Sequence, residues 1–284
     1  MSGENPLEKN GNLKVGELPE LHIVGLEDVV LHEDPDMERV ARLVDRFSAD
    51  GILKNPPVVA RSKGYRRIVL DGANRVTALR KLGYSHVLVQ ELDLFDPGLA
   101  LDTWHHAIEQ LSAQELLDHA ASIPGVTMEE ENDGVPRSEP SLARLLFPNG
   151  KVVSLQGSEG LDERVVQMHS LTKVYHRFAY FDRVSYTRLE DLVRNYRNFS
   201  ALLSFRPYSL EDLQELTHWD RRVPSGVTRV LLPKRALRFN LQLEMLRAGL
   251  SLEEKESWLQ QTILERIGDK SIRFYREPTF FFDE

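Results

Sequence analysis

The chain has 284 residues, of which 41% are hydrophobic and 28% are charged, a balance typical of a globular protein with a substantial core. It contains no cysteine, which excludes disulfides, thiolate nucleophiles and cysteine-based metal sites. Its 36 basic and 44 acidic residues give a formal charge of −8, so the overall field opposes binding to nucleic acid.

The N-terminal segment is polar. Residues 1–18 are rich in Gly, Asn, Glu and Lys and show no apolar period, which predicts a disordered tail. There is no apolar signal-peptide centre, and no stretch approaches the roughly 18 uninterrupted apolar residues of a membrane helix. We therefore expect a cytoplasmic protein without membrane partners.

A first domain is predicted over residues 19–100. A short strand at Val29–Leu31 precedes Asp34 and Pro35, an N-cap and first-turn signal for a helix that ends at Gly51. Further strands are predicted at 58–60, 67–70 and 86–92, and an amphipathic helix precedes the last of them.

The strand at 67–70 leads through Asp71 and Gly72 directly into that helix. Glycine lets the backbone approach a ligand closely, and the N–H groups at a helix start carry partial positive charge, so phosphate is the natural occupant. Arg75 and Thr77 add a guanidinium and a hydroxyl donor. Taken alone, D-G-x-x-R also fits a tight strand-to-helix connection with a surface arginine.

The remaining chain, 101–284, predicts a second domain of mixed α and β character. Leu99–Leu117 predicts a helix pair, Glu129–Glu139 an acidic loop, and Pro148–Gly150 a hairpin turn between two apolar runs. Helices are then expected at 160–176, 188–199, 209–219 and 251–267, and strands at 227–232, 237–243, 272–275 and 279–282. Together the two domains predict an α+β fold.

Several runs resemble a known family in matching order. VLDGANRVTALRKLGYSHVLVQEL at 69–92 is similar to the phosphate-binding motif of the ParB/sulfiredoxin superfamily. More closely, the chain resembles the ParB-like free L-serine kinases of siderophore biosynthesis and of archaea. The matching runs are LHE at 31–33, DGANR at 71–75, TWHH at 103–106, RPYSLEDLQELTHWDRRVPSGVTR at 206–229 and FNLQ at 239–242. The resemblance implies a ParB/sulfiredoxin-like nucleotide-binding domain at 19–100 and a substrate-binding domain at 101–284.

The resemblance also implies an activity, the transfer of a phosphoryl group from ATP or ADP, with Mg²⁺, to the hydroxyl of free L-serine. Glu33 falls where the family has a carboxylate that takes the hydroxyl proton, and Asp71 would orient the hydroxyl or hold magnesium. The nucleotide phosphates would be bound by Gly72, Ala73, Asn74, Arg75 and Thr77. Trp104 and His105 would line the amino-acid pocket, and Thr228 and Arg229 would grip the substrate carboxylate.

Simpler roles exist for the same residues. Glu33 fits the first turn of a helix, Asp71 fits a helix cap, and Trp104 fits a core position beside a surface His105. Asn74 stands where close family members commonly have histidine; an amide donates a hydrogen bond but cannot act as an acid, so no proton transfer is expected there.

A rival hypothesis is a ParB-like regulator that senses a nucleotide or ligand without turnover. Four arginines in the C-terminal half favour it, namely Arg221, Arg222, Arg235 and Arg238. The acidic total and the lack of a helix-turn-helix pattern with a basic recognition helix count against it. A third possibility is the same kinase chemistry on another small hydroxy compound.

Overall fold

The computed structural model describes residues 15–61, 66–131, 141–178, 180–247 and 249–275. Most of the tail expected at 1–18 and the strand expected at 279–282 lie outside these ranges, and Val15–Glu17 forms one 3-10 turn. Within the same ranges, no helix combines the length and the apolar character needed to cross a membrane.

The described elements alternate between short strands and helices, which confirms the α+β class. The strands are β1 (Glu20–Gly25), β2 (Val29–Leu31), β3 (Ile52–Leu53), β4 (Val58–Arg61), β5 (Arg67–Asp71), β6 (His86–Asp93), β7 (Ala100–Thr103), β8 (His105–Glu109), β9 (Thr127–Glu131), β10 (Ala143–Leu146), β11 (Val152–Gln156), β12 (Tyr180–Val184), β13 (Phe199–Phe205), β14 (Thr228–Leu231) and β15 (Leu241–Gln242). The helices are α1 (Met37–Asp50), α2 (Ala73–Lys81), α3 (Ala113–Ser122), α4 (Leu161–Phe178), α5 (Leu189–Asn195), α6 (Leu210–His218), α7 (Leu243–Arg247) and α8 (Leu252–Gly268).

The first sheet has five strands in the order β1-β6-β4-β5-β2. β2 and β5 run parallel, with Leu31 opposite Val69, and β4 is parallel to β6. The other neighbours are antiparallel. Valine-rich strands of this kind bury both faces, and Val59, Val69 and Val87 lie in one core with residues of α1 and α2. The two parallel strands place the ends of β2 and β5 at one edge of the sheet.

The second sheet has six antiparallel strands in the order β12-β8-β13-β10-β11-β9. The hairpin predicted around Pro148–Gly150 is confirmed, because β10 and β11 pair on either side of it. Two further ribbons join distant parts of the chain, β14 with β7 and β15 with β3.

The C-terminal helices return to the first sheet. Glu256 of α8 accepts hydrogen bonds from the backbone N–H of Ile23 at 2.8 Å and from the His22 ring at 2.7 Å. Leu259 and Ile263 of the same helix belong to the core of the first sheet. The sequence predicts a single C-terminal domain over residues 101–284, and no pattern in it predicts that α8 packs against the first sheet.

Four predictions of helices, strands or loops are wrong. Leu99–Leu117 contains β7 and β8 before α3, and most of 237–243 is irregular before α7. Residues 272–275 form no strand, and Glu129–Glu131 belongs to β9, while 132–140 lies outside the described residues. Strand β8 shows no apolar alternation in the sequence because it has a neighbour on each side and is buried on both faces.

Candidate active site

A cavity of about 620 Å³ opens where the first sheet, α1 and the β12 and β14 regions meet. Seven basic residues line it, namely Arg39, Arg42, Arg46, Lys54, Arg75, Arg183 and Arg235. Three acidic residues line it, namely Glu33, Asp34 and Asp71. Although the whole chain has a formal charge of −8, basic side chains outnumber acidic ones in the lining of this cavity. The cavity therefore favours an anionic ligand.

Glu33 and Asp71 reach the cavity from neighbouring strand ends. β2 and β5 are parallel and in register from Val29 opposite Arg67 to Leu31 opposite Val69. Two residues further along each strand lie Glu33 and Asp71. Because adjacent strands are about 4.8 Å apart and the carboxyl ends of parallel strands share an edge, the two carboxylates converge on the same space.

A distant loop holds the Glu33 carboxylate. One oxygen accepts the Gly226 N–H at 2.6 Å, and the other accepts the Thr228 N–H at 3.0 Å and the Thr228 hydroxyl at 2.5 Å. The backbone on either side of Glu33 is also fixed, since Val223 bonds to His32 and to Asp34 at 2.9 Å each. Glu33 is therefore tied to the loop and is not a loose helix-end residue.

His32 lies behind this contact and is only 2% exposed. Its Nδ1 lies 2.5 Å from the Val69 carbonyl oxygen and its Nε2 lies 2.8 Å from the Thr228 hydroxyl. A carbonyl can only accept, so Nδ1 carries a proton. Burial lowers the pKa of His32, although the charge of Glu33 opposes this. His32, Thr228 and Glu33 thus form one continuous line of close polar contacts.

The loop that holds Glu33 is anchored from the other side by His106. Nε2 of His106 donates to the Gly226 carbonyl at 2.8 Å, and Nδ1 accepts from the Tyr175 hydroxyl at 2.7 Å. Burial lowers the pKa of His106 to about 3. The neutral ring, with its proton on Nε2, therefore holds the carbonyl of Gly226, the same residue whose N–H binds Glu33.

Asp71 is held by two arginines. Its Oδ2 accepts from Arg75 at 2.8 Å and from Arg235. Desolvation raises the pKa of Asp71, but the charges of Arg75 and Arg235 outweigh it, and the pKa falls below its ordinary value. Arg75 also donates to the carbonyls of Asn55 at 2.7 Å and Pro56 at 3.3 Å. Arg75 lines the cavity, but most of its donors are used to brace the turn.

Gly72 makes the turn into α2 with φ +99°, a left-handed conformation that favours glycine. A Cβ there would lie 2.9 Å from Nη2 of Arg75 and 3.0 Å from Cβ of Pro57, so the turn has no room for a side chain. No side chain caps α2, whereas Asp36 caps α1. The helix start thus presents its backbone N–H groups to the cavity, which Gly72, Ala73 and Asn74 all line.

Asn74 joins the two sides of the cavity. Its side-chain oxygen accepts the Asp36 N–H at 2.8 Å, which links the start of α2 to the loop that follows Glu33. Asp36, and not Asp34 as the sequence suggested, is the N-cap of α1, since it accepts from Glu38 and Arg39. Asn74 therefore positions the Glu33 loop.

Of the other predicted site residues, Trp104 and Thr228 line the cavity, and Thr77, His105 and Arg229 do not. The Thr77 hydroxyl donates to the Ala73 carbonyl within α2 at 2.8 Å. Arg229 lies opposite Asp102 in the β7–β14 ribbon, bonds to it at 3.3 Å and stacks 5.0 Å over the Trp104 ring. Nδ1 of His105 is buried and has no hydrogen-bond partner among the described residues.

Sequence reasoning missed several cavity residues. Arg39, Arg42 and Arg46 recur at helical spacing on one face of α1, a signal visible in the sequence. His32 was part of the LHE run. Nothing in the sequence pointed to Arg183, which β12 brings in from the second sheet.

Three of the four arginines that favoured a regulator are paired with carboxylates. Arg221 pairs with Asp162 at 2.6 Å and Arg222 with Asp220 at 3.6 Å. Arg235 is bound to Asp71 inside the cavity.

No family model matches the chain. The ATP-dependent L-serine kinase SbnI of Staphylococcus aureus is 22% identical over 265 residues, which cover 93% of this chain and 97% of the relative. An ATP-dependent L-serine kinase of Staphylothermus marinus is 24% identical over 220 residues, which cover 74% of this chain and 85% of the relative.

Solved structures share the fold. C-terminally truncated SbnI from Staphylococcus aureus has a TM-score of 0.70 at 22% identity and covers 89% of this chain and 97% of that one. A free serine kinase in complex with AMP has a TM-score of 0.67 at 19% identity and covers 81% of this chain and 94% of that one. A glutamate-to-alanine variant of a free serine kinase in complex with ADP has a TM-score of 0.65 at 19% identity, with 81% and 95% covered.

Proposed function

We propose that the chain is a small-molecule kinase that transfers a phosphoryl group from ATP or ADP to the hydroxyl of free L-serine and forms O-phospho-L-serine. The main support for this proposal is the basic cavity. Glu33 and the Asp71–Gly72 turn both line it, and they follow neighbouring parallel strands. The relatives named as L-serine kinases support the choice of acceptor.

Glu33 is the proposed general base. An ionised carboxylate has about four lone-pair sites, and the loop donors Gly226 and Thr228 use three of them. One site is left for the serine hydroxyl. As the serine oxygen bonds to the terminal phosphorus, its proton passes to Glu33 and the bond to the bridging oxygen breaks, which leaves ADP or AMP. The three loop donors fix the direction of the carboxylate.

The phosphates are proposed to lie at the start of α2, against the N–H groups near Gly72, Ala73 and Asn74. Uncapped amides and the helix dipole bind a phosphate without any charged side chain. Arg75 holds the turn in place through its hydrogen bonds to the Asp71 carboxylate and the Asn55 carbonyl. Lys54 and the arginines of α1 line the same cavity and favour the remaining phosphates.

Magnesium fits as a partner of the nucleotide. Among the described residues, no group of three or more His, Cys, Asp or Glu side chains could hold a metal ion. Mg²⁺ bound with a nucleotide needs only about one or two carboxylates besides phosphate and water. Both arginines bind Oδ2 of Asp71, so its Oδ1 has no donor among the described residues and suits this role. Bound there, Mg²⁺ would neutralise charge on the transferred phosphoryl group.

The finer architecture follows from the same proposal. The first sheet with α1 and α2 corresponds to the ParB/sulfiredoxin-like nucleotide-binding unit, and the β7, β12 and β14 regions supply the amino-acid pocket. Trp104 and Thr228 form its lining, and Arg229 supports the Trp104 ring, over which it stacks.

The proposal is tested with purified protein, L-serine, Mg²⁺ and either ATP or ADP, with O-phosphoserine measured by ³¹P NMR. We expect product with the unaltered chain and a fall of at least about 100-fold in kcat for Glu33→Gln, because general-base removal has an effect of that order. Glu38→Gln, on the exposed side of α1, is the matched control. No phosphoserine with either nucleotide, or full activity of Glu33→Gln, would refute the proposal.

A further inference from the structure

Arg183 reaches the cavity from the edge strand of the second sheet. It lies in β12 opposite His106, and its guanidinium passes across the loop that binds Glu33. A Cβ on Gly226 would overlap that guanidinium in its present position, and Gly226 has φ +82°, a conformation that favours glycine. Glycine at this position therefore leaves space for the Arg183 guanidinium.

The guanidinium has few partners. Its one hydrogen bond among the described residues is a long contact of 3.4 Å with the Ser225 hydroxyl. In contrast, Arg75 and Arg235 share Asp71, and Arg39 pairs with Asp36 at 3.4 Å. Burial lowers the pKa of Arg183 and the charge of Glu33 raises it. A partly buried guanidinium with most of its donors unused favours a planar anion as its partner.

Arg183 and Glu33 face the same space. Gly226 donates its N–H to Glu33 and lies directly under Arg183, yet the two side chains form no ion pair with each other. A ligand between them would place a hydroxyl at Glu33 and an anionic group at Arg183. L-Serine has this form, because its hydroxyl carbon and its carboxylate are both attached to the α-carbon.

The arginine predicted from sequence is committed elsewhere. Arg229 is bound to Asp102 across the β7–β14 ribbon and lies over Trp104, outside the cavity lining. We infer that Arg183 binds the carboxylate of the amino-acid substrate, an inference that rests on the kinase function proposed above.

The test compares two acceptors, L-serine and L-serinamide, which share the hydroxyl and the amine and differ in the carboxylate. For Arg183→Gln we expect KM for L-serine to rise about 100-fold, as for loss of a charge-assisted bidentate pair, and KM for L-serinamide to change less than about 3-fold. Arg183→Lys keeps the charge without the planar fork and should lie between the two. Arg188→Gln, on the exposed surface and paired with Glu190, is the matched control.

The outcomes separate the two proposals. If the unaltered chain phosphorylates neither acceptor, the kinase function fails. If it phosphorylates L-serine but Arg183→Gln leaves KM unchanged, or lowers kcat equally with both acceptors, Arg183 is not the carboxylate site. If Arg229→Gln shows the carboxylate-dependent loss and Arg183→Gln does not, the assignment belongs to Arg229.

Discussion

Nε2 of His32 lies 2.8 Å from the Thr228 hydroxyl, and that hydroxyl lies 2.5 Å from the Glu33 carboxylate. Nδ1 of His32 must donate to the Val69 carbonyl, so a neutral ring can only accept at Nε2. The single proton of Thr228 cannot serve both of its neighbours. Because that proton is donated to Glu33, the Thr228 hydroxyl both orients the carboxylate and separates it from the buried His32 ring.

This arrangement predicts a role for the Thr228 hydroxyl in turnover. In Thr228→Val the Glu33 carboxylate keeps its backbone donors but loses the link to His32, and we expect kcat to fall about 10- to 100-fold, a part of the usual effect of a general base. The measurement is phosphoserine formation at saturating serine and nucleotide. Thr228→Ser keeps the hydroxyl and should retain most of the activity; equal losses in the two variants would show that the methyl group, not the hydroxyl, matters.

A second prediction concerns the turn at Gly72. In Gly72→Ala the new Cβ meets Arg75 and Pro57 at about 3 Å in a left-handed conformation, so the turn must shift and the amides at the start of α2 move with it. We expect Kd for ATP or ADP, measured by titration calorimetry, to rise at least about 10-fold.

Gly51→Ala provides the control for this change. Gly51 also has a positive φ, +64°, but nothing lies within 4 Å of its Cβ position. Both variants carry the conformational cost of alanine at positive φ, about 1 kcal/mol. If Gly51→Ala weakened nucleotide binding as much as Gly72→Ala, general destabilisation would explain both results.

Asn74 gives a third prediction, because its side chain holds the Asp36 N–H. Removing this acceptor in Asn74→Ala should loosen the loop from Glu33 to Asp36 and lower kcat about 10-fold, since a misplaced base loses alignment with the hydroxyl. Hydrogen exchange at the Asp36 amide should become faster. Asn74→Asp keeps an acceptor for this amide and should keep its protection; unchanged exchange in Asn74→Ala would refute the positioning role.

The phosphate turn was accessible from sequence because its signal is local. A strand, Asp71–Gly72 and an amphipathic helix follow one another within a few residues, and glycine at a strand-to-helix turn has a direct steric reason. The helix predicted at 251–267 was readable for the same reason and is confirmed as α8, which begins with a capping box of Ser251 and Glu254.

The rest of the site depends on contacts between distant segments. Glu33 is bound by Gly226 and Thr228, which lie 193 and 195 residues away along the chain. Arg183 enters from an edge strand, and Arg229, for which the family resemblance implied carboxylate binding, is bound to Asp102. Such pairings follow from the register of β7, β12 and β14, and no periodicity within one segment encodes that register.

The buried ring of His106 gives a final prediction, for stability against pH. Its pKa is about 3 in the folded chain, against about 6.5 for an unfolded histidine. Between these values the unfolded chain binds a proton that the folded chain does not, so the stabilising contribution is complete above pH ~6.5 and is lost as the pH falls toward ~3. At about 1.36 kcal/mol per pH unit, the free energy of unfolding is lowered by about 2 kcal/mol at pH 5. His32, whose pKa is also lowered by burial, acts in the same direction.

The measurement is the free energy of unfolding in urea at pH 7 and pH 5. In His106→Gln the amide can still donate to Gly226 and accept from Tyr175 but does not titrate, so the decrease between the two pH values should be about 2 kcal/mol smaller than in the unaltered chain. His218→Gln, at an exposed position in α6, serves as the control. An equal decrease in His106→Gln and the unaltered chain would mean that the His106 ring does not stay neutral in the fold; because this ring anchors Gly226, Glu33 would then need another explanation for its fixed orientation.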